Sequence, residues 1–90
     1  MTIRKIHLIG RIDQIVRDFF ETNRSVNLIL AKDLMPLFIQ KGIFRKDHRN
    51  GLPLRKILRD LDANKKLFLL NHLKVDRKDV NRNWYFINKM

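Results

Sequence analysis

The apolar positions in the first third of the chain recur at spacings of three and four. Ile9, Ile12, Ile15, Val16, Phe19 and Phe20 form a single stripe, which predicts an amphipathic helix over roughly 6–21. Arg11, Arg17 and Asp18 take the wet side. Gly10 weakens this helix by about 1 kcal/mol relative to alanine. The polar run Glu21-Thr22-Asn23-Arg24-Ser25 ends it. Val26–Leu30 is β-prone and reads either as a brief strand or as the lead into a second helix. Asp33 suits the N-cap of that helix, with Pro36 in its first turn, where a missing N–H costs little. A start at Ala31 would instead make Pro36 a bend. Leu34, Leu37 and Phe38, with Ile39, supply the core face. Gly42 is suited to the residue just past the helix end, after which Ile43 and Phe44 pack back.

Arg45–Asn50 is a basic turn, closed by the turn dipeptide Asn50-Gly51. Pro53 fits the first position of a third helix over 53–62. Its apolar face is Leu54, Ile57, Leu58 and Leu61; Arg55, Lys56 and Arg59 point elsewhere. Asn64 is a candidate left-handed cap. Two apolar runs follow, Leu67–Leu70 and Trp84–Ile87, which predict an antiparallel pair of strands, the second taking in Asn83. The stretch between them, Lys74–Arg82, is polar and basic, and longer than a tight turn.

The order is therefore helix, short strand, helix, turn, helix, strand, loop, strand. It resembles the winged helix-turn-helix superfamily over nearly the whole chain, through element order and charge placement, since no short signature motif defines that superfamily. The stretch Gly51-Leu-Pro-Leu-Arg-Lys-Ile-Leu-Arg-Asp-Leu-Asp62, with Asn83-Trp-Tyr-Phe-Ile87, is also similar to small uncharacterised bacterial proteins. The resemblance implies a mainly α fold with a small β-hairpin (α+β). It would be a three-helix core with a two- or three-stranded antiparallel sheet, in a single domain over 1–90. It also implies that the third helix lies in the major groove of DNA, with the wing on the backbone or minor groove.

Charge sharpens that picture. The chain has 90 residues, a net charge of +11 and a pI near 10.8. Such a surplus self-repels unless nucleic acid, an anionic membrane face or an acidic protein neutralises it. Residues 1–44 carry a net +3, whereas residues 45–82 carry +7. The candidate nucleic-acid-binding residues lie in the second stretch. Arg55, Lys56 and Arg59 sit on the third helix. Arg45, Lys46 and Arg49 lie just before it, and Lys65 and Lys66 just after. Lys74, Arg77, Lys78 and Arg82 lie on the wing, with Asn81 as a hydrogen-bonding neighbour. Residues 55 and 59, four apart, share a helix face. Either arginine can bond guanine O6 and N7 with two hydrogen bonds, or grip phosphates without choosing a sequence. Asp60 and Asp62 would repel phosphate, so the N-terminal half of the helix is expected to face DNA.

Other chemistry is thin. His7, His48 and His72 are scattered, and cysteine is absent, so no metal site or cofactor is expected. No Gly-rich phosphate loop or Ser/His/Asp set is present, which points away from an enzyme. Trp84, Tyr85 and Phe86 could stack on bases, but alternate strand residues face the core, so either Trp84 and Phe86 or Tyr85 and Ile87 fill it. Phe19, Phe20, Phe38, Phe44 and Phe68 are read as core. No apolar run approaches the ~20 residues of a membrane span. Arg4, Lys5 and Arg11 interrupt Met1–Arg11, so neither a signal peptide nor an anchor is expected. A small chain without disulfides fits the cytoplasm. The expected function is duplex DNA binding, as a regulator or an accessory factor of a bacterial genome or mobile element. The alternatives are an adapter docking an acidic protein and an RNA- or ribosome-associated protein. A homodimer is open.

Overall fold

The computed structural model describes residues 2–78 and 82–89. Helix α1 spans Ile3–Thr22. It starts earlier than its apolar stripe because Thr2 caps it, the hydroxyl accepting from the Lys5 N–H at 3.2 Å. At the other end the Asn23 side-chain amide donates to the Phe19 carbonyl at 2.9 Å. Strand β1, Leu28–Leu30, runs into a 3-10 turn, Ala31–Leu34, and then into α2, Met35–Gln40.

Asp33 does not cap α2. It lies inside the 3-10 turn, and the residue at the α2 cap is Leu34, without a side-chain cap bond. The chain thus satisfies Pro36 by inserting a tighter turn, which leaves the proline in the first turn of α2. Gly42, at φ 81°, ends α2 as expected. The N–H of Gly42 bonds the Ile39 carbonyl at 3.0 Å and that of Ile43 bonds the Phe38 carbonyl at 2.8 Å, the pair that defines a Schellman stop.

Helix α3 spans Leu52–Ala63. Its stop has the same form, but the left-handed residue is Lys65, at φ 57°, and not Asn64, at φ −94°. The Lys65 N–H reaches the Asp62 carbonyl at 3.0 Å and the Lys66 N–H reaches that of Leu61 at 2.8 Å. Asn64 acts from one step earlier, its side-chain amide donating to the Asp60 carbonyl at 2.8 Å.

The expected strand Leu67–Leu70 is a correction. Leu67–Leu69 forms a 3-10 turn, and Phe68, read as core, is 72% exposed. Four consecutive apolar residues carry no alternation, so periodicity cannot tell turn from strand there. A long-range tie fixes the turn: the main-chain and side-chain amides of Asn71 donate to the two oxygens of Asp13 at 2.9 and 2.8 Å. The hairpin strand begins only afterwards, with β2 at Leu73–Arg77. It therefore occupies the first half of the stretch assigned to the wing, and the connection to β3, Arg82–Ile87, is 78–81.

The sheet is antiparallel in the order β1-β3-β2. Leu30 faces Tyr85 across β1 and β3, and Val75 faces Trp84 across β2 and β3. Trp84 and Phe86 are the buried pair on β3, so the pleat selects them and not Tyr85 and Ile87. They meet Ile9, Ile12, Val16 and Phe20 of α1, Met35 and Phe38 of α2, and Leu54, Leu58 and Leu61 of α3 in one core. Phe19, Ile57 and Phe44 are partly buried at its margin. His72 is buried with them, its Nδ1 3.0 Å from the Ile87 carbonyl. The described residues thus form an α+β domain of three helices and a three-stranded sheet. Among the described residues, no helix is long and apolar enough to cross a membrane.

Candidate nucleic-acid interface

Three segments that are distant in sequence wall a cleft of about 740 Å³. The end of β1 and the turn after it contribute Leu30, Ala31 and Lys32. Helix α3 and the turn before it contribute Asn50, Arg55 and Arg59. The first half of β3 contributes Arg82, Asn83, Trp84 and Tyr85. Among the described lining residues are four cationic side chains and no carboxylate. Four positive charges around one concavity concentrate the potential felt by an anion.

The turn before α3 is built to close this cleft. Arg49, Asn50 and Gly51 all have positive φ, at 51°, 53° and 85°. Such a run is costly for residues with a Cβ. Two bonds hold it: the Gly51 N–H donates to the Asp47 carboxylate at 2.8 Å, and the Leu52 N–H to the His48 carbonyl at 3.1 Å. Gly51 also brings α3 against Lys32, since a Cβ at position 51 would sit 3.0 Å from the Lys32 Cβ. Glycine is required there twice, by its φ and by the contact.

Arg55 and Arg59 share a face as expected, but their roles differ. Arg59 is exposed. Arg55 is half-buried and folds back, Nη2 donating to the Arg49 carbonyl, while its Nε is buried without a partner. Part of the Arg55 guanidinium is thereby committed to holding the turn. A buried unpaired donor costs stability, which the bond from Nη2 to the Arg49 carbonyl offsets in part.

At the loop end of the hairpin, Arg77 and Arg82 are cross-strand partners. Directly opposed like charges are destabilising. Asp62, in the last turn of α3, lies against both. Arg77 donates Nη1 and Nη2 to its two oxygens at 2.8 and 2.7 Å, and Arg82 Nη1 lies 3.4 Å from Oδ2. The Arg77 hydrogen bonds hold the Asp62 carboxyl below the usual aspartate range; partial burial opposes this, and the charges of Arg77 and Arg82 add to the lowering. The same hydrogen bonds raise the Arg77 guanidinium.

Of the twelve residues expected at the interface, the cleft gathers Arg55, Arg59 and Arg82. Arg77 is engaged with Asp62, and Lys78 lies 3.5 Å from Asp76. Arg45, Lys46 and Arg49 stay exposed on the turn before α3, and Lys56 on α3 outside the cleft lining. Lys65 and Lys66 lie past the opposite end of α3 from that turn. Lys74 stands on β2 across from Tyr85. Asn81 lies outside the described residues.

Lys32, Asn50 and Asn83 join the cleft unforeseen, together with Trp84 and Tyr85, whose sequence reading is base stacking or core packing. The only sequence signal for Lys32 was its place just before a helix start. No family model, curated protein or solved structure matches this chain.

Proposed function

We propose that the chain is a winged-helix protein that binds double-stranded DNA through the cleft between α3, the turn after β1 and the start of β3. The observation that carries this reading is the convergence of Lys32, Arg55, Arg59 and Arg82 on one concave face, with no carboxylate among its described lining residues. Element order supports it too, with a hairpin following α3 and β3 central in the sheet. In this reading Arg59 and Arg82 contact the duplex directly. Lys32 meets the backbone from the side of α2, and Arg55 chiefly holds the Arg49–Gly51 turn in shape.

The test is fluorescence anisotropy with a labelled duplex across a salt series. Three phosphate contacts, from Lys32, Arg59 and Arg82, give a slope of log affinity against log salt of roughly −3. Arg59→Ala weakens binding with the melting temperature unchanged, whereas Arg55→Ala lowers both. Affinity that ignores salt, or that survives Arg59→Ala combined with Arg82→Ala, refutes the reading. A structured RNA that outcompetes the duplex moves the partner from DNA to RNA, since both present phosphate.

A further inference from the structure

Asp62 breaks a local rule. It is an acidic residue in the last turn of α3, where the helix dipole disfavours negative charge, and it sits beside a surface that the reading above assigns to a polyanion. A residue placed against both the dipole and the ligand calls for a compensating role. Its contacts supply one. The side chain is only 14% exposed, whereas that of Arg82 is 43% exposed and lines the cleft. The carboxylate is therefore the more buried partner of the pair, with the guanidinium at the cleft surface. Arg77 occupies both Asp62 oxygens, so the three side chains together carry a net positive charge. Without Asp62, Arg77 and Arg82 would repel each other across the last rung of the hairpin ladder.

We propose that Asp62 is a positioning residue which, although negatively charged, strengthens anion binding by holding Arg82 over the cleft to meet a phosphodiester oxygen. An arginine already fixed in place loses less freedom when it binds. A guanidinium aimed at phosphate makes a charge-assisted hydrogen bond that a mobile one makes only part of the time. The inference rests on the duplex-binding reading, yet it predicts the opposite sign from simple electrostatics. Removing a negative charge beside a polyanion site ordinarily raises affinity; here it lowers it.

The experiment is a double-mutant cycle on the full chain, reading duplex affinity by anisotropy and fold by thermal melt. Asp62→Asn is expected to weaken binding about three- to tenfold. In the Arg82→Gln background the same change is expected to leave affinity unchanged or raise it, because nothing remains to be aimed. Asp62→Glu, which keeps the carboxylate, is expected to recover most of the loss with the fold intact. The proposal is overturned if D62N binds as tightly as wild type or tighter, or if it weakens binding equally with and without Arg82. It is also overturned if D62E, folded, binds no better than D62N. Inorganic pyrophosphate, titrated against the Trp84 indole signal, separates this idea from the parent reading. Pyrophosphate binding that depends on Asp62 in a protein that ignores duplex DNA sinks the duplex and keeps the positioning. A wild type that binds neither sinks both.

Discussion

A Cβ on Gly51 would stand 3.0 Å from the Cβ of Lys32 and 3.3 Å from its Cα, closer than side chains ordinarily pack. This close approach joins the turn before α3 to the turn after β1, and so sets one width of the basic cleft. Gly51→Ala meets two penalties, a φ of 85° and a Cβ at 3.0 Å from that of Lys32. The expected loss is about 1–3 kcal/mol of stability, read from denaturant unfolding. Duplex affinity falls with it, because Lys32 is displaced. Gly42→Ala shares the positive φ but meets nothing within 4 Å, so its loss is smaller.

The arginines of the closing rung separate into two roles. Arg77→Ala is expected to lower stability and Arg82→Ala to lower binding, since Arg77 takes both oxygens of Asp62 while Arg82 also lines the cleft. Equal effects of both variants on both measurements would contradict this division.

The pH dependence follows from Asp62. Its folded pKa lies below the ordinary aspartate value, so the charged form favours the folded state. The stabilisation is fully present above the unfolded value of about 3.9 and is lost as pH falls through the lower folded value. Acid unfolding of wild type and D62N should therefore converge below that window and diverge above it. Parallel curves across the whole range would show that the ion pair contributes nothing.

Lys65 holds a left-handed conformation at the end of α3 that glycine adopts without strain. Lys65→Gly is expected to stabilise the protein by about 0.5–1 kcal/mol, measured by urea unfolding. The same variant leaves duplex affinity nearly unchanged, since Lys65 does not line the cleft.

Asp13 receives both amides of Asn71 across 58 positions of sequence. Asp13→Ala removes both hydrogen bonds and releases the 3-10 turn from α1, at an expected cost of about 1–3 kcal/mol. Phe68→Ser, on the exposed side of the same turn, changes stability by no more than about 0.5 kcal/mol.

The helices were legible because their signals are local. A three-and-four spacing gave α1, Gly42 marked the end of α2, and Pro53 with its apolar face gave α3. The β2 strand was missed because the most apolar run, Leu67–Leu70, is not the strand. What decides that segment is Asp13, far away in sequence, which fixes Asn71 and delays the start of pairing. The site was half legible for the same reason. Arg55 and Arg59 announce themselves by helical spacing, whereas Lys32 gains its place only through the close approach that Gly51 permits. Asp62, set aside as repulsive, shows that the sign of a side chain does not settle its effect when two arginines stand over it.

The hairpin closes on Arg77 and Arg82, and Asp62 fastens that closing rung to the helix. That tie holds the ends of β2 and β3 to α3 whatever residues join them. The connection 78–81 can be lengthened, shortened or rewritten at little more than the modest entropy of joining its ends. Changes in the sequence of that connection are expected to leave the rung and the scaffold beneath it in place.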